Sequence, residues 1–166
     1  FIVAVPDGNS SNQQFSEWVK FELDHLRKRW WSLFRGRLPE KPANQITADD
    51  ISKSHVIAFG DATSNSLLRR IVSKLPIDWA DGVRIGSVST VGMNHIPVMI
   101  YPNPLNESRY VVLNSGPTFR EAHDRTNSQQ NPTLPDWAIL DISEPSNAES
   151  AGRVVHAGFF NEEWQP

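Results

Sequence analysis

Two polar stretches of this chain hold side chains able to do chemistry. In the first, GDATSN at 60–65, Asp61, Ser64 and Asn65 follow the apolar run 56–59; in the second, NSGPT at 114–118, Asn114, Ser115 and Thr118 follow the apolar run 110–113. A serine hydroxyl becomes a nucleophile when a histidine takes its proton and a third group orients that histidine. Ser64 or Ser115 with His95 or His123 as base is the pairing this composition allows. Without a base, the same stretches make a polar, anion-tolerant cleft, because a helix start offers N–H groups and a positive dipole end. Tyr101 and Asn103, at the end of the IPVMIY run, and Arg120, just after Gly116, are expected to border it. The competing expectation is structural. Ser64 caps a helix, Asp61 satisfies turn N–H groups, and the asparagines bond loop backbone around Pro102, Pro104 and Pro117.

Several chemistries lack their motif. A hydrolase nucleophile elbow needs G-x-S-x-G so that the serine sits on a tight strand-to-helix turn; here Ser64 lies between Thr63 and Asn65, with no such pentapeptide anywhere. Neither a phosphate loop GxxxxGK[ST] nor a GxGxxG fingerprint occurs, so no cofactor is expected. His55 and His95 lie just before strands, outside HxH or HExxH spacing, and no metal is expected. Glu162 and Glu163 are adjacent and point apart, unlike a glycosidase carboxylate pair.

The elements that must position these residues follow from periodicity. The segment 55–72 reads as strand, tight turn at Gly60-Asp61, then a helix capped by Thr63 or Ser64 with Leu67, Leu68, Ile71 and Val72 as its apolar face. Phe1–Val5, ended by Pro6-Asp7-Gly8, reads as a buried strand. Gln13–Phe34 places Phe15, Trp18, Val19, Leu23, Leu26, Trp30 and Leu33 at three- and four-residue spacings, one long amphipathic helix with a charged outer face. Trp31 is rotated off that stripe, where it can meet a partner domain. The segment 38–54 is a connector in which Thr47 to Asp50 can cap one helical turn. Residues 74–80 read as an apolar loop, 83–85 as a minor strand and 86–92 as a hairpin tip. Strands are expected at 96–101 and 109–113, joined by too few residues for a crossover and so antiparallel. A short helix is expected at 118–123, with further strands at 137–142 and 153–160. The expected fold is a single α/β domain over 1–166: a three-layer sandwich with a mixed, mostly parallel central sheet of five or six strands and two or three helices on both faces.

Composition narrows the partners. With 166 residues and 39% hydrophobic content the chain can bury one core. A net charge of −3 gives no attraction for nucleic acid. No apolar run is long enough for a membrane span. There is no cysteine, hence no disulfide or thiolate site. The opening in an apolar strand without Met suggests a fragment cut from a longer chain.

Three stretches, HVIAFGDATSNSLLRRIVSKLPIDW, HIPVMIYPNPLNESRYVVLNSGPTFRE and VVHAGFFNEEW, together with WWSLFRGRLP, resemble the C-terminal part of large bacterial, planctomycete-type proteins of the prolyl oligopeptidase family or dienelactone-hydrolase type. The resemblance spans nearly the whole chain. It implies an α/β-hydrolase domain with a Ser-Asp-His triad N-terminal to this segment in the same polypeptide, and export to the periplasm or medium. Two function classes follow: a non-catalytic accessory or interaction domain of that hydrolase, or an autonomous binder of a small polar ligand, or Ser-dependent hydrolase, using the 60–65 and 114–120 turns.

Overall fold

The computed structural model describes residues 1–115 and 135–166. Its spine is a seven-stranded sheet. Strand β1 (Ile2–Val5) pairs in parallel with β2 (Glu40–Pro42) on one side and β3 (Val56–Ala58) on the other. Next to β3 lies β8 (Asn106–Leu113), also parallel, and then β7 (His95–Asn103), β9 (Trp137–Asp141) and β10 (Arg153–Gly158) add antiparallel, giving the order β10-β9-β7-β8-β3-β1-β2. Beside it stands a three-stranded antiparallel sheet of β4 (Asp78–Trp79), β5 (Val83–Ile85) and β6 (Val88–Ser89).

This is an α/β fold with a mixed sheet, but not a mostly parallel one. Three pairings are parallel and three antiparallel. The cause is connection length: β7 turns into β8 within two residues, and 142–152 between β9 and β10 holds no helix, so neither link can return the chain in parallel. The strand count also exceeds the expected five or six. Glu40–Pro42 escapes sequence reading because an edge strand of Glu, Lys and Pro has no apolar alternation, and Asp78–Trp79 because two residues carry no period.

Alternation along the strands divides the core in two. Ile2, Ala4, Val56, Ala58, Met99, Val111, Leu113 and Ile139 join one cluster; Val3, Phe59, Ile96, Val98 and Leu140 join the other. The first also takes Leu67, Leu68 and Ile71 of helix α3 (Ser66–Ile71), and Ile51 of helix α2 (Ala48–Lys53). The second takes Phe15, Trp18, Val19, Leu23 and Leu26 of helix α1 (Gln13–Phe34), whose bounds match the sequence periodicity residue for residue. Helix α1 starts where the Asn12 side chain accepts the Phe15 N–H and stops where Arg35 turns left-handed at φ 53°. The indole of Trp18 donates to the Ala151 carbonyl, tying the helix to the loop before β10. Thr47 and Asp50 form the reciprocal cap of α2 that their spacing predicts. The helix expected at 118–123 lies outside the described residues.

Candidate functional site

The parallel strands β1, β3 and β8 end at one edge of the sheet, and there the 60–65 and 114–115 turns meet. Gly60 holds the junction. At φ 107° it adopts backbone that favours glycine, and both its peptide groups bond the Asn114 amide: the Gly60 N–H donates to Asn114 Oδ1 at 2.9 Å, and Asn114 Nδ2 donates to the Gly60 carbonyl at 3.3 Å. Asn114 is fully buried, itself left-handed at φ 51°, and also donates to the Pro97 carbonyl. Asparagine suits this position because it tolerates that backbone and offers a donor and an acceptor from one short side chain.

Asn65, not Thr63 or Ser64, caps α3. Its Oδ1 accepts the N–H groups of Leu67 and Leu68 at 3.0 and 3.1 Å, while Nδ2 donates to the carbonyls of Phe59 and Ala4 at 2.8 and 3.2 Å. One buried amide thus joins the ends of β1 and β3 to the helix. The helix starts later than the Thr/Ser cluster suggests because Asp61 folds the preceding residues into a turn of their own. Asp61 Oδ1 accepts from the Thr63 and Ser64 N–H groups at 2.9 and 2.8 Å and from both hydroxyls, and Oδ2 accepts from Ser10 Oγ.

These bonds decide what the turn can bind. Of the four N–H groups at 63–66, two go to the Asp61 carboxylate, the Asn65 N–H goes to the Asp61 carbonyl, and the Ser66 N–H goes to Asp7 Oδ1. Arg69 closes the turn from the far side, donating to the carbonyls of Ala62 and Thr63. The protein's own carboxylates therefore occupy the donor field that an anion would use, the arrangement in which Asp61 satisfies the turn's N–H groups. Burial raises the Asp61 pKa, yet hydrogen bonds from Ser10, Thr63 and Ser64 outweigh it and hold the carboxyl below its ordinary 3.8. Asp7 is lowered too, burial again opposed by the Ser66 bonds.

A depressed carboxylate contributes stability that is present above its unfolded value and lost as pH falls through the folded one. Asp61→Asn is therefore expected to destabilise the chain by about 1–3 kcal/mol near neutrality. The gap to wild type should shrink as pH drops below about 4. Phosphate should stabilise neither form. Urea unfolding across pH, in phosphate and in a neutral buffer, checks this; a gap independent of pH, or phosphate stabilisation of the wild type, contradicts it.

The other expected site residues fall as follows. Ser115 follows Asn114 and is buried. Tyr101 and Asn103 do not border this edge, which corrects that expectation. Tyr101 pairs with Val111, which pairs with Val56 at the start of β3, so both residues lie toward the opposite end of the sheet. An antiparallel hairpin demands it: the end of β7 stands beside the beginning of β8. Tyr101 instead meets the rings of Phe160 and Trp164 edge-on, and Asn103 Oδ1 accepts the Leu105 N–H in the hairpin turn. Thr118, Arg120 and His123 lie outside the described residues.

Sequence reading passed over the loop 7–12. It follows β1 and precedes α1, so it reaches the same edge as 60–65, and the same strand-turn-helix rule that singled out Asp61 applies to it. Ser10 and Asp7 come from there. Together with Ser11, Asn12 and Phe15 from this side, and Trp79 and Ile96 from the other, Asp61 and Thr63 border a cleft of about 240 Å³.

Catalytic geometry can also be read. Ser64 Oγ accepts the Asp61 N–H at 3.0 Å and donates to Asp61 Oδ1 at 2.8 Å, with no histidine among its partners within the described residues, and Ser64 is 4% exposed. His55 Nδ1 accepts the Tyr110 N–H at 2.9 Å and its ring stacks on that tyrosine, a role at the opposite end of the sheet. Among the described residues no three His, Asp or Glu side chains gather closely enough to hold a metal ion. No known family, curated protein or solved structure matches this chain.

Proposed function

We propose that the chain is a non-catalytic module working beside a serine-hydrolase domain of the same polypeptide, an exported peptidase or esterase. The observation that supports this is the state of Ser64: it is buried, both bonds of its hydroxyl go to Asp61, and among the described residues no imidazole bonds it as the base that a nucleophilic serine requires. The likeness of the three quoted stretches to the segment downstream of such hydrolases supplies the partner. Within this reading the chain is a three-layer sandwich, with α1 on one side of the sheet and α2 and α3 on the other; the two separate core clusters support it. The cleft beside Asp61 takes a small neutral hydroxylated ligand rather than phosphate, because the turn's N–H groups are already bonded while the Thr63 hydroxyl keeps lone pairs to accept with.

The purified chain is expected to hydrolyse neither a nitrophenyl ester nor a peptide nitroanilide above the buffer rate. Turnover that disappears in Ser64→Ala or Ser115→Ala overturns the proposal.

A further inference from the structure

Helix α1 changes character along its length. Its buried residues end at Leu26, and Trp30 still touches the core, but Trp31, Leu33 and Phe34 beyond it are 56%, 50% and 59% exposed. They extend an aromatic ledge that is already assembled: Phe1 meets Trp30 edge-on at 5.2 Å, and Trp30 lies against Phe34 at 4.2 Å between ring centroids. Phe1 is 44% exposed. A folded chain leaves so many large apolar side chains together at one place when that place meets something apolar.

Charge identifies what it meets. Residues 27–37 contain five cations and no carboxylate, so the rest of a chain with net charge −3 carries −8. Arg27 is consumed by Asp24 and Glu40, whereas Lys28, Arg35 and Arg37 are exposed at the helix end. At about 100° per residue, Trp30, Trp31, Leu33 and Phe34 cover one side of the last two turns, and Lys28, Arg29, Ser32 and Arg35 the other. Aromatic and aliphatic side chains on one face with cations on the opposite face and just past the end is the arrangement of a helix lying in a membrane interface, where the rings enter the headgroup region and the cations reach lipid phosphates. In a protein interface the opposed cationic face has nothing to contact, and two copies of this patch repel each other.

We infer that the C-terminal end of α1, with Phe1, is a peripheral docking surface for an anionic lipid bilayer, entered by Trp31, Leu33 and Phe34 and held by Lys28, Arg35 and Arg37. It is shallow attachment, not spanning; no helix among the described residues is long and apolar enough to cross a membrane.

The test is co-sedimentation of the chain with vesicles of phosphatidylcholine alone and of phosphatidylcholine mixed with phosphatidylglycerol, at low and high salt. The expected result is binding to the anionic vesicles only, weakened by salt. Trp31→Ala with Phe34→Ala should weaken it at least about tenfold. Lys28→Gln with Arg35→Gln and Arg37→Gln should weaken it on the order of a hundredfold. Because all five side chains are exposed, the variants should keep the wild-type unfolding midpoint, which separates lost docking from lost folding. Equal binding to both vesicle types, or binding that survives both variants, overturns the inference. So does a wild type that ignores anionic vesicles, which leaves the ledge to an acidic protein surface, and so does self-association that the Trp31 and Phe34 changes abolish, which makes it a contact between copies.

Discussion

Asn65→Ala is expected to lower the unfolding midpoint by roughly 10 °C, taking a loss of about 1.5–5 kcal/mol and the usual 2–4 °C per kcal/mol for a chain of this size. The loss has two parts. Removing the cap orphans the N–H groups of Leu67 and Leu68, costing about 0.5–2 kcal/mol. Removing the amide donor then takes one bond from each of the buried carbonyls of Phe59 and Ala4, the latter keeping the Phe59 N–H, at about 1–3 kcal/mol. Asn65→Asp separates the two. It keeps the cap acceptor but sets an anionic oxygen against two carbonyls in a fully buried place. Desolvation and those carbonyls raise the pKa of such a carboxyl, so its protonated form fits better, and the deficit against wild type should narrow as the pH falls. Wild-type stability for Asp at every pH would show that only the cap matters, and equal deficits for Ala and Asp that only the lost amide donor does.

Gly60→Ala should cost about 3 kcal/mol or more, because strain and a collision add. At φ 107° an L side chain is disfavoured whatever the space around it, and the new Cβ would stand 2.6 Å from Ser64 Oγ and 3.3 Å from Pro6 Cγ. Moving the Ser64 hydroxyl aside breaks its bonds with Asp61 and so loosens the turn that fills the donor field. The double variant Gly60→Ala with Ser64→Ala should be less damaging than the sum of the two single changes, since the second removes the atom that the first strikes. Urea unfolding of the three proteins measures the coupling; strict additivity would mean that the backbone angle alone sets the cost.

The two asparagines show why the site was only partly legible. Sequence reading marked Asn65 and Asn114 as either ligand contacts or backbone ties, and nothing local distinguishes these, because an asparagine amide serves both uses with the same atoms. The choice was made by neighbours remote in the chain: Gly60 and Pro97 for Asn114, Ala4 for Asn65. Asp61 illustrates the same point. Its turn was evident from Gly60-Asp61, but Ser10, which completes its shell of donors, lies 51 residues away.

What the sequence determined by itself is the set of elements whose signal is local. The periodicity of 13–34 fixes α1, the apolar runs at 1–5, 56–59 and 96–101 mark three strands of the large sheet, the Thr47–Asp50 spacing fixes a cap, and the few residues between 101 and 109 fix an antiparallel pair. Each of these depends on neighbours within a few residues, so the chain announces it before folding. Only the tertiary structure decided the strand order, the even division between parallel and antiparallel pairs, the edge strand Glu40–Pro42, and the convergence of 7–12 with 60–65 and 114–115 at one end while Tyr101 and Asn103 went to the other. Strand order and register follow from burying whole apolar faces at once, a collective term that no single segment of sequence contains.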